Sequence, residues 1–462
     1  MSQSTTGQAI WRFAAQRKRF CIGAGCILFG ILAAGISANV GLSAFLRSSK
    51  LRDRVSARTA EELKASAGYL PLSWRGLSVY CQGFLVQGEP SQALTRMEAA
   101  GLSARCGLTS LWHGVFVIHE LDVQRLQVAY GQTAVGQFTN DLPHQPEVKA
   151  PDPNKSAFTV DIHKTVIAST NIWWGNKANA LGGLKNVAAT IYTINKDLDV
   201  TGVGGSFRQE GWPEMKIKQF HLYYAKPNLF VKEGSICVGE RDDVSLNGQF
   251  TFAEKSSMAL ALKFDDCPVA PFLPESWREK FRAQFSSQTS LSKEFRENAV
   301  VQATGDVHCA NASLQGLNAQ QKLALITRKP KFRHLKFSTL KGDYSYAGGK
   351  LQVKNLEVEA EDLFAVEGSF VVEGENIDAD LKVGAKPSVL KTLPGARERV
   401  FTEARGGYYW TTVKLTGPLQ HPRENLSPRL VEAAKAQIFQ GIFKIPIEPE
   451  KDILGTLEHL FE

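Results

Sequence analysis

Val244-Ser-Leu-Asn-Gly-Gln-Phe-Thr251 and Ser257-Met-Ala-Leu-Ala-Leu-Lys-Phe264 decide the fold class. Apolar residues recur at every second position: Val244, Leu246 and Phe250 in the first stretch, Met258, Leu260, Leu262 and Phe264 in the second. Successive strand side chains point to opposite faces, so this alternation describes strands with one apolar and one wet side. Upstream, Leu77, Val79, Cys81 and Leu85 share one parity, as do Leu102, Ala104, Cys106 and Leu108, and then Val115, Val117, Leu121 and Val123. The phase then slips to Leu126, Val128 and Tyr130, which a bulge or a tight connection would cause. Phe158, Val160 and Ile162, and downstream Ile377, Ala379, Leu381 and Val383, continue the pattern. The body is expected to be mostly β and antiparallel, with one face wet.

Glycine interrupts the apolar parity at recurring places. Val244-Leu246-Gly248-Phe250 is echoed by Val301-Ala303-Gly305-Val307, Phe364-Val366-Gly368-Phe370 and Val413-Leu415-Gly417-Leu419, with Leu198-Val200-Gly202 a partial copy. A strand that carries glycine on its inward face can coil sharply or admit a close neighbour. The expectation is an elongated, strongly curved antiparallel sheet, a β-groove folded like a taco. Its candidate lining is Val244, Leu246, Phe250, Leu260, Leu262, Phe264, Val366, Phe370, Val413 and Leu415.

Several stretches break the alternation. Residues 132–154 are polar and proline-bearing, a loop or boundary between a β module at 71–131 and a body at 155–420. Trp277, Phe281 and Phe285, four residues apart, predict a helical insertion near 274–298, and a second is expected near 386–405, interrupted by Pro394-Gly395. Residues 421–462 read as a helical tail, and Asp53–Gly68 as an amphipathic helix within 47–70, stopped by Gly68 and Pro71.

Ahead of these lies Phe20 to Leu46, 27 residues without a formal charge. As a helix at about 1.5 Å per residue it spans roughly 40 Å, enough to cross a bilayer with some tilt. Phe20, Ile27, Leu28, Phe29, Ile31, Leu32 and Leu46 are its anchoring residues. The alternative is a cleaved signal peptide, whose apolar core usually runs only about 7–15 residues. Residues 1–19 are read as a short basic cytoplasmic tail and the body as exported. The formal charge of +8 fits this arrangement, because residues 1–70 carry ten Lys/Arg against three Asp/Glu. Cations flanking an apolar run are a membrane pattern; a nucleic-acid footprint would sit on the folded body, so no nucleic-acid partner is expected.

Catalytic signatures are missing: no HExxH, GxSxG, phosphate-binding loop or complete dinucleotide fingerprint occurs. Gly202-Val-Gly204-Gly205 lacks the spacing, and adjacent His308 and Cys309 point to opposite faces of a strand. Catalytic, metal and cofactor sites are therefore expected to be none. Cys81 and Cys106 sit on the apolar parity of successive strands, either as a disulfide or as two buried thiols; Cys237 and Cys267 are a weaker pair.

Leu72-Ser-Trp-Arg-Gly76, Leu102-Ser-Ala-Arg-Cys-Gly-Leu-Thr-Ser-Leu-Trp-His-Gly114 and Ile118-His-Glu-Leu-Asp-Val-Gln-Arg-Leu-Gln-Val128 resemble the opening of AsmA-family proteins. Val413-Lys-Leu-Thr-Gly-Pro-Leu-Gln-His-Pro422 is similar to that family's last strand. The resemblance covers about a third of the chain, in degenerate β patterns. It implies an AsmA/TamB-type envelope protein anchored in the bacterial inner membrane, its large C-terminal part in the periplasm. It further implies a β-groove that shields phospholipid acyl chains or supports outer-membrane lipid homeostasis. Membrane lipids and envelope proteins would be its partners. The chain departs from the family in being short and in carrying several exported cysteines. A different function writes the same alternation: an envelope scaffold or assembly factor whose β core closes on itself.

Overall fold

The computed structural model describes residues 49–442 except 76–77, 90–92, 108–114, 132–137, 139–141, 143–145, 147–158, 177–178, 211, 240–243, 297–298, 361 and 420. The chain is mostly β and includes a large curved antiparallel sheet. It divides into two compact units, residues 1–183 and 184–462.

The first unit opens with α1 (Ser49–Leu63), which buries Ala57 and Ala60. The helix stops before the expected Gly68. Lys64 takes a φ of 50°, and β1 (Ser66–Tyr69) then pairs with β3 (Ser78–Gln87). Tyr69 fastens the helix through a 3.0 Å hydrogen bond with Thr59. β2 (Leu72–Arg75) and β4 (Leu94–Cys106) also pair with β3, and β5 (Val115–Tyr130) pairs with β4. The slip in phase falls inside one continuous strand, so no tight connection is needed: Val123 and Val128, of opposite parity, are both buried on β5. Gly101, with φ +67° and Gln124 lying over it, marks the change-over.

β6 (Thr159–Ile162) and β7 (Lys164–Asn176) correct the expectation of a wholly antiparallel body. Both pair with β5 in parallel, Val115 to Thr159 and Val123 to Ile167. Parallel neighbours need a connection of a dozen or more residues, and residues 131–158 supply that length. The pairing also places β6 and β7 in the first unit. Glu98, Gln127 and Asn171 form a buried polar row across β4, β5 and β7, with Arg96 3.0 Å from the Glu98 carboxylate.

The second unit begins within β8 (Asn179–Ile194) and continues through β9 (Asp197–Val203), β10 (Ser206–Gln209), β11 (Met215–Ala225), β12 (Asn228–Cys237), β13 (Val244–Thr251) and β14 (Ser257–Pro268). After α2 (Glu275–Arg278) come β15 (Phe281–Glu294) and β16 (Gln302–Gln315). α3 (Asn318–Ile326) and a 3₁₀ turn, Pro330–Arg333, lead into β17 (His334–Ala347), β18 (Lys350–Ala360), β19 (Phe364–Glu373) and β20 (Asn376–Ala385). α4 (Pro387–Leu390), α5 (Ala396–Arg399), β21 (Glu403–Arg405), β22 (Tyr408–Pro418), β23 (Arg423–Glu424) and α6 (Leu426–Ile442) complete it. β11 through β20 pair each with the next in antiparallel order, and β22 pairs with β20.

The helix expected over 274–298 is a single turn, α2, followed by the long strand β15. Phe281 and Phe285 are spaced by four, which is even, so they share a strand face as readily as a helix face. The remainder, Ser-Ser-Gln-Thr-Ser-Leu-Ser, is poor in helix formers and lets the sheet win. Residues 386–405 hold α4 and α5, split near Pro394-Gly395, and the tail contains α6.

Candidate functional site: the apolar face of the second unit

Direct cross-strand partners share a sheet face, so pairing registers trace that face from strand to strand. One row begins at Gly202 and passes through Phe220, Gly234, Leu246 and Leu262 to Thr289. It continues through Gly305, Tyr344, Val353, Phe370 and Ala379 to Leu415. Flanking rows on the same face carry Val244 opposite Phe264, Leu260 opposite Leu291, Phe250 opposite Met258, Val366 opposite Val383, and Leu381 opposite Val413. All ten lining candidates lie on this one face. Leu291, Tyr344 and Val353 join them; the strands of Leu291 and Tyr344 carry too many Ser, Thr and Tyr residues for the alternation to be read from sequence, and the bulge at Asn355 interrupts that of Val353.

The opposite face is charged and wet except where Ala365, Tyr408 and Trp410 pack together. Lys341 pairs with Glu357 at 2.9 Å and Arg405 with Glu367 at 2.5 Å, while Lys263 reaches Asp265 at 2.6 Å. These exposed pairs contribute little stability, but they hold that side in water.

The exposure of the apolar side is intermediate. Val244 and Val413 are buried at 3% and 5%, but Leu246, Phe250, Leu260, Leu262, Phe264, Val366, Phe370 and Leu415 are only half-buried. Side chains sandwiched under a second layer are sealed, whereas those on a flat free sheet stand exposed. Half-burial is what neighbours on a curved sheet provide by themselves. Each such Leu or Phe leaves on the order of 1 kcal/mol of burial ungained. Among the described residues, two of the buried clusters of this unit cover one end of the same face, at Ala360, Phe364 and Ala385, and leave the rows of Leu246, Leu262 and Phe370 outside them. One joins Ala324, Phe332, Leu335, Ala360, Leu363 and Val389 where β17–β19 meet α3 and α4. Another joins Leu390, Val400, Phe401 and Ala433 around α4–α6, and a third holds Ala365, Tyr408 and Trp410.

A hydroxyl chain crosses the middle of the face. Ser287 and Thr289 are 3.0 Å apart, and Thr289 lies 2.6 Å from the Tyr344 hydroxyl. The two bonds use two of the three O–H donors and give each hydroxyl a partner within the seam.

Curvature comes from the backbone. Register shifts occur at Val231/Gly234, Phe264/Cys267, Arg282/Gln284 and Val353/Leu356, and Asp266, Asn311 and Asn355 hold φ values of 52°, 53° and 50°. A bulge bends its strand and increases local twist.

The cysteine expectation resolves to thiols. Cys81 pairs opposite Leu102, which leaves Cys106 four residues further along β4, roughly 13 Å away at about 3.3 Å per residue. A disulfide needs Cα atoms within about 7 Å, so the Cys81–Cys106 bridge does not form. Shared parity supplied the right face and the wrong register. Cys237 and Cys267 lie on β12 and β14, which are not ladder neighbours. The Cys81 thiol donates to the Gly83 carbonyl at 3.1 Å. Burial pushes the Cys81 and Cys106 thiols from the usual value near 9 up to about 11.

The neutral thiols therefore stabilise the fold fully below pH 9, where the unfolded chain is also protonated. That contribution, on the order of 2 kcal/mol per thiol, is lost as pH rises toward 11. A plot of urea midpoint against pH should fall across this window and flatten in Cys81→Ala/Cys106→Ala. Reducing agent should leave the midpoint unchanged; a fall on reduction would reinstate the bridge.

The anchoring residues Phe20, Ile27, Leu28, Phe29, Ile31, Leu32 and Leu46 lie outside the described residues, as do most of 132–154 and all of 443–462. Among the described residues, no helix is long and apolar enough to cross a membrane, and no group of three or more His, Cys, Asp or Glu could hold a metal ion. No protein-family model, curated protein or solved structure matches the chain, so the apolar face is interpreted from its own chemistry.

Proposed function

We propose that the chain is an AsmA-like envelope protein, tethered to the bacterial inner membrane by Phe20–Leu46, whose periplasmic body shields phospholipid acyl chains. The observation that supports this reading is the one-sided sheet of the second unit, apolar over strand after strand and only half-buried. Acyl chains suit such a surface because apolar burial is non-directional and demands no matched polar group from chains of varied length. An elongated groove would let a lipid move between equivalent positions without crossing a polar barrier larger than the Ser287–Thr289–Tyr344 seam. No catalytic residue, metal or cofactor enters this function, and membrane lipids and envelope proteins are its partners.

Parity supplies the test. p-Benzoylphenylalanine placed at Leu262 or Phe264 of the full chain in cells should yield phospholipid adducts on irradiation. The same probe at Lys263, on the wet face, should yield none. Equal labelling of both parities, or none at the inward positions, would leave an anchored scaffold as the surviving function.

A further inference from the structure

One edge of the second unit reverses the usual distribution of polarity. Helix α3 buries Gln320 and the cap residue Thr327 at 2% and 1% exposure, yet shows Leu323 and Leu325 at 41% and 68%. The orientation is fastened: Gln320 Nε2 donates to the Leu314 carbonyl at 2.8 Å, the Leu317 N–H donates to Gln320 Oε1 at 3.1 Å, and Ala324 packs into the core beneath. The leucines therefore face outward by construction. Trp277 is 42% exposed on α2, whose cap residue Glu279 accepts a hydrogen bond at its carbonyl from Gln315 Nε2 at the end of β16.

Around α3 the charge is equally one-sided, whereas α2 sets Glu275 and Glu279 beside Arg278 and Lys280. Residues 307–342 contain seven Lys/Arg and no Asp or Glu. Lys322, Arg328 and Lys329 lie within four residues of Leu325; among the described residues none forms an ion pair within 4 Å, and Lys329 acts on Asp362 only at longer range. Beside them Lys329, Lys331, Lys386 and Lys391 line an open concavity of about 680 Å³ in which Asp362 is the one acid among the described residues, and Lys331 contacts it at 2.9 Å. One carboxylate among four ammonium groups leaves an excess of positive charge facing solvent.

We propose that this edge docks on an anionic bilayer surface, with Leu323, Leu325 and Trp277 entering the headgroup region and the surrounding lysines meeting lipid phosphates. Exposed leucines among cations are the signature of interfacial binding. A nucleic acid would use the cations and leave the leucines idle, which favours the membrane. The inference is independent of whether the sheet face carries lipid.

The full chain in neutral phosphatidylcholine nanodiscs would be mixed with fluorescent vesicles of phosphatidylcholine alone or with phosphatidylglycerol. Capture should require phosphatidylglycerol and fall at least about tenfold in high salt, where screening shortens to about 3 Å. Leu325→Ser and Lys329→Ser, both on the surface, should each weaken capture several-fold, while Lys414→Ser on the wet face should not. Capture indifferent to lipid charge or to these substitutions overturns the proposal. So does binding of duplex DNA that ignores Leu325→Ser and exceeds binding to vesicles.

Discussion

Gly368→Val is expected to cost about 3–5 kcal/mol, at the upper end for a single substitution. Gly368 lies on the apolar face opposite Leu381, with a φ of +146° that L side chains rarely adopt. A Cβ there would stand 2.3 Å from the Asp380 carbonyl oxygen and 2.9 Å from the Leu381 Cα. Both are backbone atoms of the next strand, so no rotamer change relieves the overlap. Backbone strain of about 1–3 kcal/mol adds to a similar cost of overpacking. The strand on its other side is bulged between Val353 and Leu356, and Gly248 repeats the arrangement, with φ +146° beside the Val231/Gly234 shift. The substitution therefore strikes a device that curves the sheet twice. Gly417→Val is the control: its φ is +100° but nothing lies within 4 Å of its would-be Cβ, so only strain of about 1–2 kcal/mol remains. Urea denaturation followed by circular dichroism separates the two. Equal costs would mean that the close approach of β20 plays no part.

How much of this was legible in the sequence depends on what period two records. Alternation states which residues share a face, and the face running from Val244 to Leu415 was readable for that reason. It is silent about direction, so the parallel pairing of β5 with β7 was invisible. Register is equally hidden, which is why Cys81 and Cys106 share a face without meeting. Spacing by four is ambiguous between one helical turn and two strand steps, and Phe281 and Phe285 fell on the strand side of that ambiguity. Asn318-Ala-Gln-Gln-Lys-Leu-Ala-Leu-Ile326 was missed as a helix because its buried stripe contains Gln320 where an apolar residue would ordinarily announce it. The glycine echo was the most informative local signal. Its physical content, a contact between neighbouring backbones, needed coordinates to become specific.

Leu262→Glu distinguishes a free apolar face from a closed core more sharply than any truncation. Leu262 sits in the central row between Leu246 and Thr289, half-buried, and the buried clusters of this unit do not include it. In a sealed core, an uncompensated carboxylate is among the most damaging substitutions, costing several kcal/mol and often the fold. On a face open along one side, the glutamate can turn its carboxylate to water while its methylenes stay against Leu246, as long amphipathic side chains do. The expected outcome is therefore asymmetric: a stability change of about 1 kcal/mol or less, with lipid adducts from a probe at Phe264 falling at least about tenfold, since an acyl chain would have to desolvate the charge. Lys263→Gln, one residue away and facing the other side, should leave the lipid adducts unchanged, with stability altered only by the loss of the exposed Lys263–Asp265 pair. Unfolding of Leu262→Glu would assign the face to a closed core and the protein to a structural role. A folded variant with undiminished lipid adducts would place the lipid elsewhere on the molecule.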